Sequence, residues 1–182
     1  IKQADPTHVI LWSPYREAAA VLTKAHQLNW HPQFIGGISA SDDKVIELAG
    51  TAAKGYMASQ AIDLWSDTEY LKQYHQLIEK YDPEHKPGFY HALGFVVARG
   101  LVEGLKRTGR DLTREKLVAA METFNGWHDS MGSPIHFGPN LRGGKNSAAF
   151  MTRTDLKKKT MVPATDWIHI EISDQVAQNG GE

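Results

Sequence analysis

The order of residues predicts an α/β fold, a Rossmann-like parallel sheet flanked by helices. Two observations predict it. Short apolar runs, at His8 to Trp12, Gln33 to Ile35 and Gly55 to Ala58, alternate with segments whose apolar residues recur at helical spacing. Strand, helix, strand, helix, strand in such close order is the pattern of parallel strands covered by the helices that join them.

The first run gives way to Ser13-Pro14-Tyr15, where serine as N-cap and proline at the first helical position predict a helix start. Ala18, Val21, Leu22, Ala25 and Leu28 then form one apolar stripe to lay on a sheet. After the second run, Gly36-Gly37 and the polar Ser39 to Asp43 turn lead into a helix with Val45, Ile46 and Ala49, closed by Gly50. Ser66 and Glu69 read as a capping box for a helix striped by Tyr70, Leu71, Tyr74, Leu77, Ile78 and Tyr81, ended by Pro83 and Pro87. From Phe89 to Leu105 the sequence is apolar on most faces, which predicts the most buried helix of the chain, with Gly94, Gly100 and Gly104 allowing close approach of neighbours. Thr113 caps the next helix, Leu112 and Leu117 stand at staple positions, and Asn125-Gly126 stop it. Ile135 to Phe137, Ala148 to Arg153 and Trp167 to Ile172 read as strands between glycine-rich turns.

Composition narrows the function. The 182 residues are 41% hydrophobic and 23% charged, enough for one domain or two small lobes with a core. Lysine plus arginine number 20 against 21 acids, so no global field favours nucleic acid or an anionic membrane. Without cysteine there are no disulfides, thiolate metal sites or thiol nucleophiles. Apolar runs are too short for a membrane-spanning helix. The chain opens at Ile1 without a basic and apolar leader, so the expectation is that any secretion signal is removed or lies in a missing segment.

In an open parallel sheet, ligands collect beyond the carboxyl ends of the strands. Three loops qualify here: Trp12-Ser13-Pro14-Tyr15, Gly37-Ile38-Ser39-Ala40-Ser41 and Ser59-Gln60-Ala61. Trp12, Ser13, Tyr15, Ile38 and Ser39 are the candidate ligand-binding residues. They offer stacking surface, hydroxyls and backbone N–H groups at a helix start, which suit a small organic ligand carrying a carboxylate. The alternative is that Trp12 and Tyr15 pack under neighbouring loops. No nucleophile stands with a base, so no catalytic residues and no enzyme are expected. His128, Asp129 and His136 match no compact zinc spacing, so no metal is expected. Lys157-Lys158-Lys159 beside Asp155 reads as a solvated turn between strands. Gly138 to Gly144 lacks both the Walker ending and dinucleotide spacing, and no cofactor is expected. Asp42, Asp43 and Asp166 read as capping or turn acids rather than a catalytic pair.

Several stretches together carry a family likeness: Asp5-Pro6-Thr7-His8-Val9-Ile10, Phe34-Ile35-Gly36 with Leu48-Ala49-Gly50 and Ala53-Lys54-Gly55-Tyr56, and Leu105-Lys106-Arg107-Thr108-Gly109 with Leu112-Thr113-Arg114-Glu115-Lys116-Leu117. In their joint order the chain resembles the carboxyl-terminal portion of type I periplasmic binding proteins, the leucine-binding-protein-like receptors of ABC transporters. The resemblance implies two α/β lobes joined by crossovers, with a small solute held in the cleft that closes between them. It also implies an incomplete two-lobe architecture. Residues 1–58 and 148–182 would be part of the second lobe, and 59–147 a segment returning to the first.

By the same resemblance Tyr15 matches a tyrosine lining the cleft of amino-acid-binding relatives. Those relatives place an acid after the second strand to pair with the ligand ammonium, whereas this chain has Ile38 and Ser39 there. An aromatic, aliphatic or dicarboxylic acid without that ammonium is therefore a rival to an amino acid. The implied function is the solute-binding component of an importer, periplasmic or extracellular, with an ABC permease as partner. The alternative is a sensory ligand-binding domain of the same fold. An all-round apolar helix at Phe89 to Leu105 further predicts a partner for its surface, either a missing amino-terminal portion or another copy of the chain.

Overall fold

The computed structural model describes residues 1–128, 131–141 and 148–169. The chain divides into two compact units, Ile1–Ala61 with Ala149–Ile168, and Ile62–Ala148 with His169–Glu182.

In the first unit the strands are β1 (His8–Leu11), β2 (Gln33–Gly36) and β3 (Met57–Gln60), with helices α1 (Tyr15–Gln27) and α2 (Lys44–Ala49) between them. β1 pairs parallel with β2, Val9 opposite Phe34, and β2 pairs parallel with β3, Gly36 opposite Ala58. The parallel βαβαβ pattern read from the sequence is therefore the folded one. α1 buries the stripe Ala18, Ala19, Leu22 and Ala25, and α2 buries Val45 and Ile46 beside it. With Phe34, Tyr56 and Ala58 these residues form the core. Removing such side chains from water is the main favourable term holding the layers together.

Three local details differ from expectation. Ser13 does not cap α1; Pro14 occupies the N-cap, so the helix begins one residue later. The third strand runs Met57–Gln60 rather than Gly55 to Ala58. Gly55 adopts φ 78°, a left-handed turn conformation, so the extended chain starts beyond it. The sheet is also not parallel throughout. In the second half of the chain come β4 (Asn125–Trp127), β5 (Ile135–His136), β6 (Ala148–Asp155), β7 (Thr160–Pro163) and β8 (Ile168–His169). β6 pairs antiparallel with β3, β7 pairs antiparallel with β6, and the strand order is β1-β2-β3-β6-β7 with β8 also on β6. Lys157, Lys158 and Lys159 form the β6–β7 turn, where Asp155 Oδ1 accepts the N–H groups of Lys157 and Lys158, each at 3.0 Å.

The second unit contains α3 (Glu69–Tyr81), α4 (Phe89–Thr108) and α5 (Arg114–Met121). The cap of α3 is Thr68, whose Oγ1 accepts the Leu71 N–H at 3.2 Å, and not Ser66. Asp63 explains the shift. Its Oδ1 accepts the N–H groups of Trp65 and Ser66 at 2.9 and 3.0 Å, and the Ser66 hydroxyl donates to Oδ2, so that turn is complete before the helix begins. Thr113 caps α5 as expected, accepting the Lys116 N–H. Gly104 is where α4 and α5 approach, since a Cβ there would stand 2.9 Å from the Met121 Cγ and 3.3 Å from the Leu117 Cδ1. Gly94 has no such neighbour. Asn125-Gly126 do more than stop α5; they belong to β4, which pairs antiparallel with β5.

α4 is not the buried helix its composition predicts. Only Phe89, Ala92 and Gly104 are buried, while Tyr90, Leu93, Val97 and Leu101, spaced along one stripe, are exposed. Val97 is 64% exposed and Leu101 47%. The apolar residues are in the sequence, but no described part of the chain covers this side enough to bury it.

Candidate functional site

Parallel pairing of β1, β2 and β3 puts the loops that follow them on one edge of the sheet. The β1–β2 ladder continues one step past the strands, because the Gly37 N–H donates to the Leu11 carbonyl at 3.1 Å. Trp12 follows Leu11. It is 89% exposed, yet its ring lies across Gly37, where a Cβ would meet the Trp12 Cε3 at 3.4 Å. Glycine thus leaves room for an indole to lie over the backbone.

Beyond Gly37 a 3-10 turn, Ile38–Ala40, presents Ser39 to the first loop. The Ser39 hydroxyl donates to the Ser13 carbonyl at 3.2 Å and bridges the two loops. Ser41 Oγ donates to the Ile38 carbonyl at 2.7 Å and accepts from Gln60 Nε2 at 2.9 Å. Gln60 is fully buried at the end of β3, and its Oε1 accepts the Ala61 N–H at 2.9 Å. One buried amide therefore ties the third loop to the second, because polar groups shut away from water must find partners.

The turn is also braced from beneath. Tyr56 is buried and its hydroxyl donates to the Ala40 carbonyl at 3.1 Å. Burial pushes the Tyr56 phenol well above its ordinary value, since the phenolate would lose its water. Gly36 makes the reach possible: a Cβ on it would stand 1.8 Å from the Tyr56 Oη.

Of the five candidate residues, Trp12, Ser13, Ile38 and Ser39 come together at this edge. Tyr15 opens α1 and lines a groove between α1 and α2 with Ala19, Thr23, Lys44 and Leu48. Gln60, Ser41 and Tyr56 were not among the candidates. The signal for Gln60 was its position in the third loop, and for Tyr56 an aromatic directly after a turn glycine. The neighbouring acids serve the fold. Asp42 Oδ1 accepts the Lys44 N–H at 2.9 Å, and Asp43 accepts the Met161 N–H at 2.7 Å and the Thr160 hydroxyl at 2.9 and 3.0 Å.

Of the residues weighed for metal, His136 accepts the Gly126 N–H on Nδ1 at 3.1 Å, and Asp129 lies outside the described residues. Among the described residues no group of three or more His, Asp or Glu side chains is placed to hold a metal ion. Residues 142–144 of the glycine-rich stretch and 170–172 of the last expected strand also lie outside them. No described helix is long and apolar enough to cross a membrane.

No curated protein matches the chain. Among solved structures it is similar to a possible leucine/isoleucine/valine-binding protein from Rhodopirellula baltica, 22% identical with a TM-score of 0.78, over 90% of this chain and 44% of that one. It is similar to a branched-chain amino acid ABC transporter protein from Thermus thermophilus with bound valine, 20% identical with a TM-score of 0.76, over 92% and 47%. A fatty acid ABC transporter substrate-binding protein from Thermomonospora curvata is 19% identical with a TM-score of 0.81, over 98% and 46%. The chain thus spans less than half the length of these structures. The family described as periplasmic binding protein matches residues 1–159, and the chain belongs to that family.

Proposed function

We propose that the chain is part of the solute-binding component of an ABC-type importer, and that it binds a small amino acid or organic acid, aromatic ones included, without converting it. The observation that supports this most directly is the braced edge where Trp12, Ser13 and Ser39 meet. An exposed indole beside hydroxyls gives an apolar face and polar contacts to one small molecule. The edge forms one wall of the pocket, and the rest of the full-length protein supplies the other. Neither of its first two loops, Trp12 to Tyr15 or Gly37 to Ser41, contains a carboxylate, so a ligand ammonium finds no anionic partner there. That favours an organic acid over its amino-acid counterpart.

The full-length protein has further chain to place. Residues 1–58 and 148–182 belong to one lobe and 59–147 to the other, and the apolar side of α4 is covered by the remaining portion of the protein or by a second copy. The mature protein works in the periplasm or outside the cell and delivers its solute to a membrane permease.

Calorimetric titration of the full-length protein tests the ligand class with paired compounds, leucine against 4-methylpentanoate and phenylalanine against 3-phenylpropanoate. The expected result is saturable binding of at least one of them, weakened about tenfold or more by Trp12→Ala. Tighter binding of the deaminated member supports the organic-acid assignment. Binding that is indifferent to Trp12 would overturn the proposed wall.

A further inference from the structure

At the other edge of the first unit's sheet, where β2 and β3 begin and α1 ends, a partly enclosed cavity of about 170 Å³ opens to the surface. It is lined by Trp30 and by the buried Phe34 and Tyr56, and its basic residues are His26, His31 and Lys54. No acidic side chain lines it. Trp30 stands edge-on to Phe34, with ring centroids 5.5 Å apart and planes at 88°. His26 and His31 stand 6.0 Å apart at 65°. His31 Nε2 lies 2.9 Å from the Asn29 Oδ1, which orients the ring.

The floor is fixed by the backbone. Gln33 Nε2 donates to the Gly55 carbonyl at 2.9 Å and to the Phe34 carbonyl at 3.0 Å, joining the starts of the two strands. Carbonyls in the last turn of α1 are already taken. Ala25 accepts from Leu28 and Trp30, and His26 accepts from Asn29, which blunts the negative end of the helix.

We infer that this cavity is a second binding site, separate from the Trp12–Ser39 edge, and that it takes a small planar carboxylate. An ammonium and two imidazoles without a nearby acid favour an anion, and Lys54 disfavours a metal cation between the histidines. Trp30, the aromatic lining residue that is not buried, offers a flat apolar face beside these groups. The volume suits one six-membered ring, since an apolar cavity of about 150 Å³ holds benzene.

The test titrates the full-length protein carrying Trp12→Ala, which disables the other site, with benzoate and with benzamide, which has the same shape and no charge. The expected result is benzoate binding with a Kd of about 1 mM and benzamide at least about tenfold weaker. On that background Lys54→Met weakens benzoate about tenfold, and His26→Gln with His31→Gln weakens it several-fold. All three basic residues are exposed, and the benzamide comparison needs no change at this cavity. Equal binding of benzamide, indifference to Lys54→Met, or no saturable benzoate binding by the Trp12→Ala protein would each overturn the inference. Because the other site is disabled while this one is measured, failure here and failure of the solute-binding proposal give different results.

Discussion

The brace under the proposed ligand edge makes a sharp prediction through Gly36 and Tyr56. Tyr56→Phe removes the hydroxyl that donates to the buried Ala40 carbonyl, and leaving that acceptor without its donor costs about 1–2 kcal/mol. Gly36→Ala introduces a methyl carbon where the Tyr56 Oη is 1.8 Å away, the Cζ 2.8 Å and the Ala40 Cβ 3.1 Å. The hydroxyl has to leave, so this variant loses the same hydrogen bond and adds overpacking of about 1–3 kcal/mol. In the double variant the worst collision is gone and the lost bond is counted once. The two costs then fall short of additivity by about 1 kcal/mol or more. Urea denaturation of the four full-length proteins at pH 7 measures this cycle. A second arm uses the raised phenol. The folded state keeps the Tyr56 proton to higher pH than the unfolded chain does, so its contribution is complete below the unfolded value near 10 and is lost as pH rises above it. The wild type should lose about 1.4 kcal/mol per pH unit there relative to Tyr56→Phe. Additivity within about 0.5 kcal/mol, or parallel alkaline curves, would refute the reasoning.

Asp43→Ala should cost about 2–3 kcal/mol, because it strips a charged acceptor from the Met161 N–H and the Thr160 hydroxyl, and the same denaturation assay would show a negligible change if β7 does not depend on it. Thr68→Ala should cost about 1 kcal/mol and Ser66→Ala less than about 0.5 kcal/mol, a ranking that reverses if Ser66 were the cap. Serine at both Val97 and Leu101 separates two states of α4. The pair costs about 2–4 kcal/mol in the full-length protein if that stripe is covered, and almost nothing if it faces water.

The first three strands and two helices were legible because their signals are local. Ala18, Leu22 and Ala25 declare a helix face, and Gly50 declares its neighbour's end, without reference to anything distant. What escaped was set by partners far along the chain. Met161-Val162-Pro163 became a strand because β6 offers it an edge, and β6 became antiparallel because it lies beside β3. Thr68 displaced Ser66 as cap because Asp63 had already engaged Ser66. The meeting of Trp12, Ser13, Ile38 and Ser39 followed from parallel strands alone. Gln60 was hidden for the opposite reason, since a fully buried amide inside a strand is justified only by partners on another loop. In α4 the sequence records burial that the described residues do not provide, which is how a helix reads when its covering layer is elsewhere.

At the proposed ligand edge three donors are already engaged. The Ser39 hydroxyl spends its proton on Ser13, while Ala40 and Ser41 spend their N–H groups on Gly37 and Ile38. For the Ser39 hydroxyl to serve a carboxylate, it has to turn away from Ser13. The bond it gives up is long, at 3.2 Å, and neutral, whereas the bond it gains is charge-assisted and therefore stronger. The exchange favours an anionic ligand and is near neutral for an uncharged one of the same shape. Tyr56 and Gln60 hold the rest of the turn still while one hydroxyl rotates, so little ordering cost is added. In the proposed binding, turning the Ser39 hydroxyl would thus add to discrimination by charge, beside an indole that supplies apolar contact to either kind of ligand.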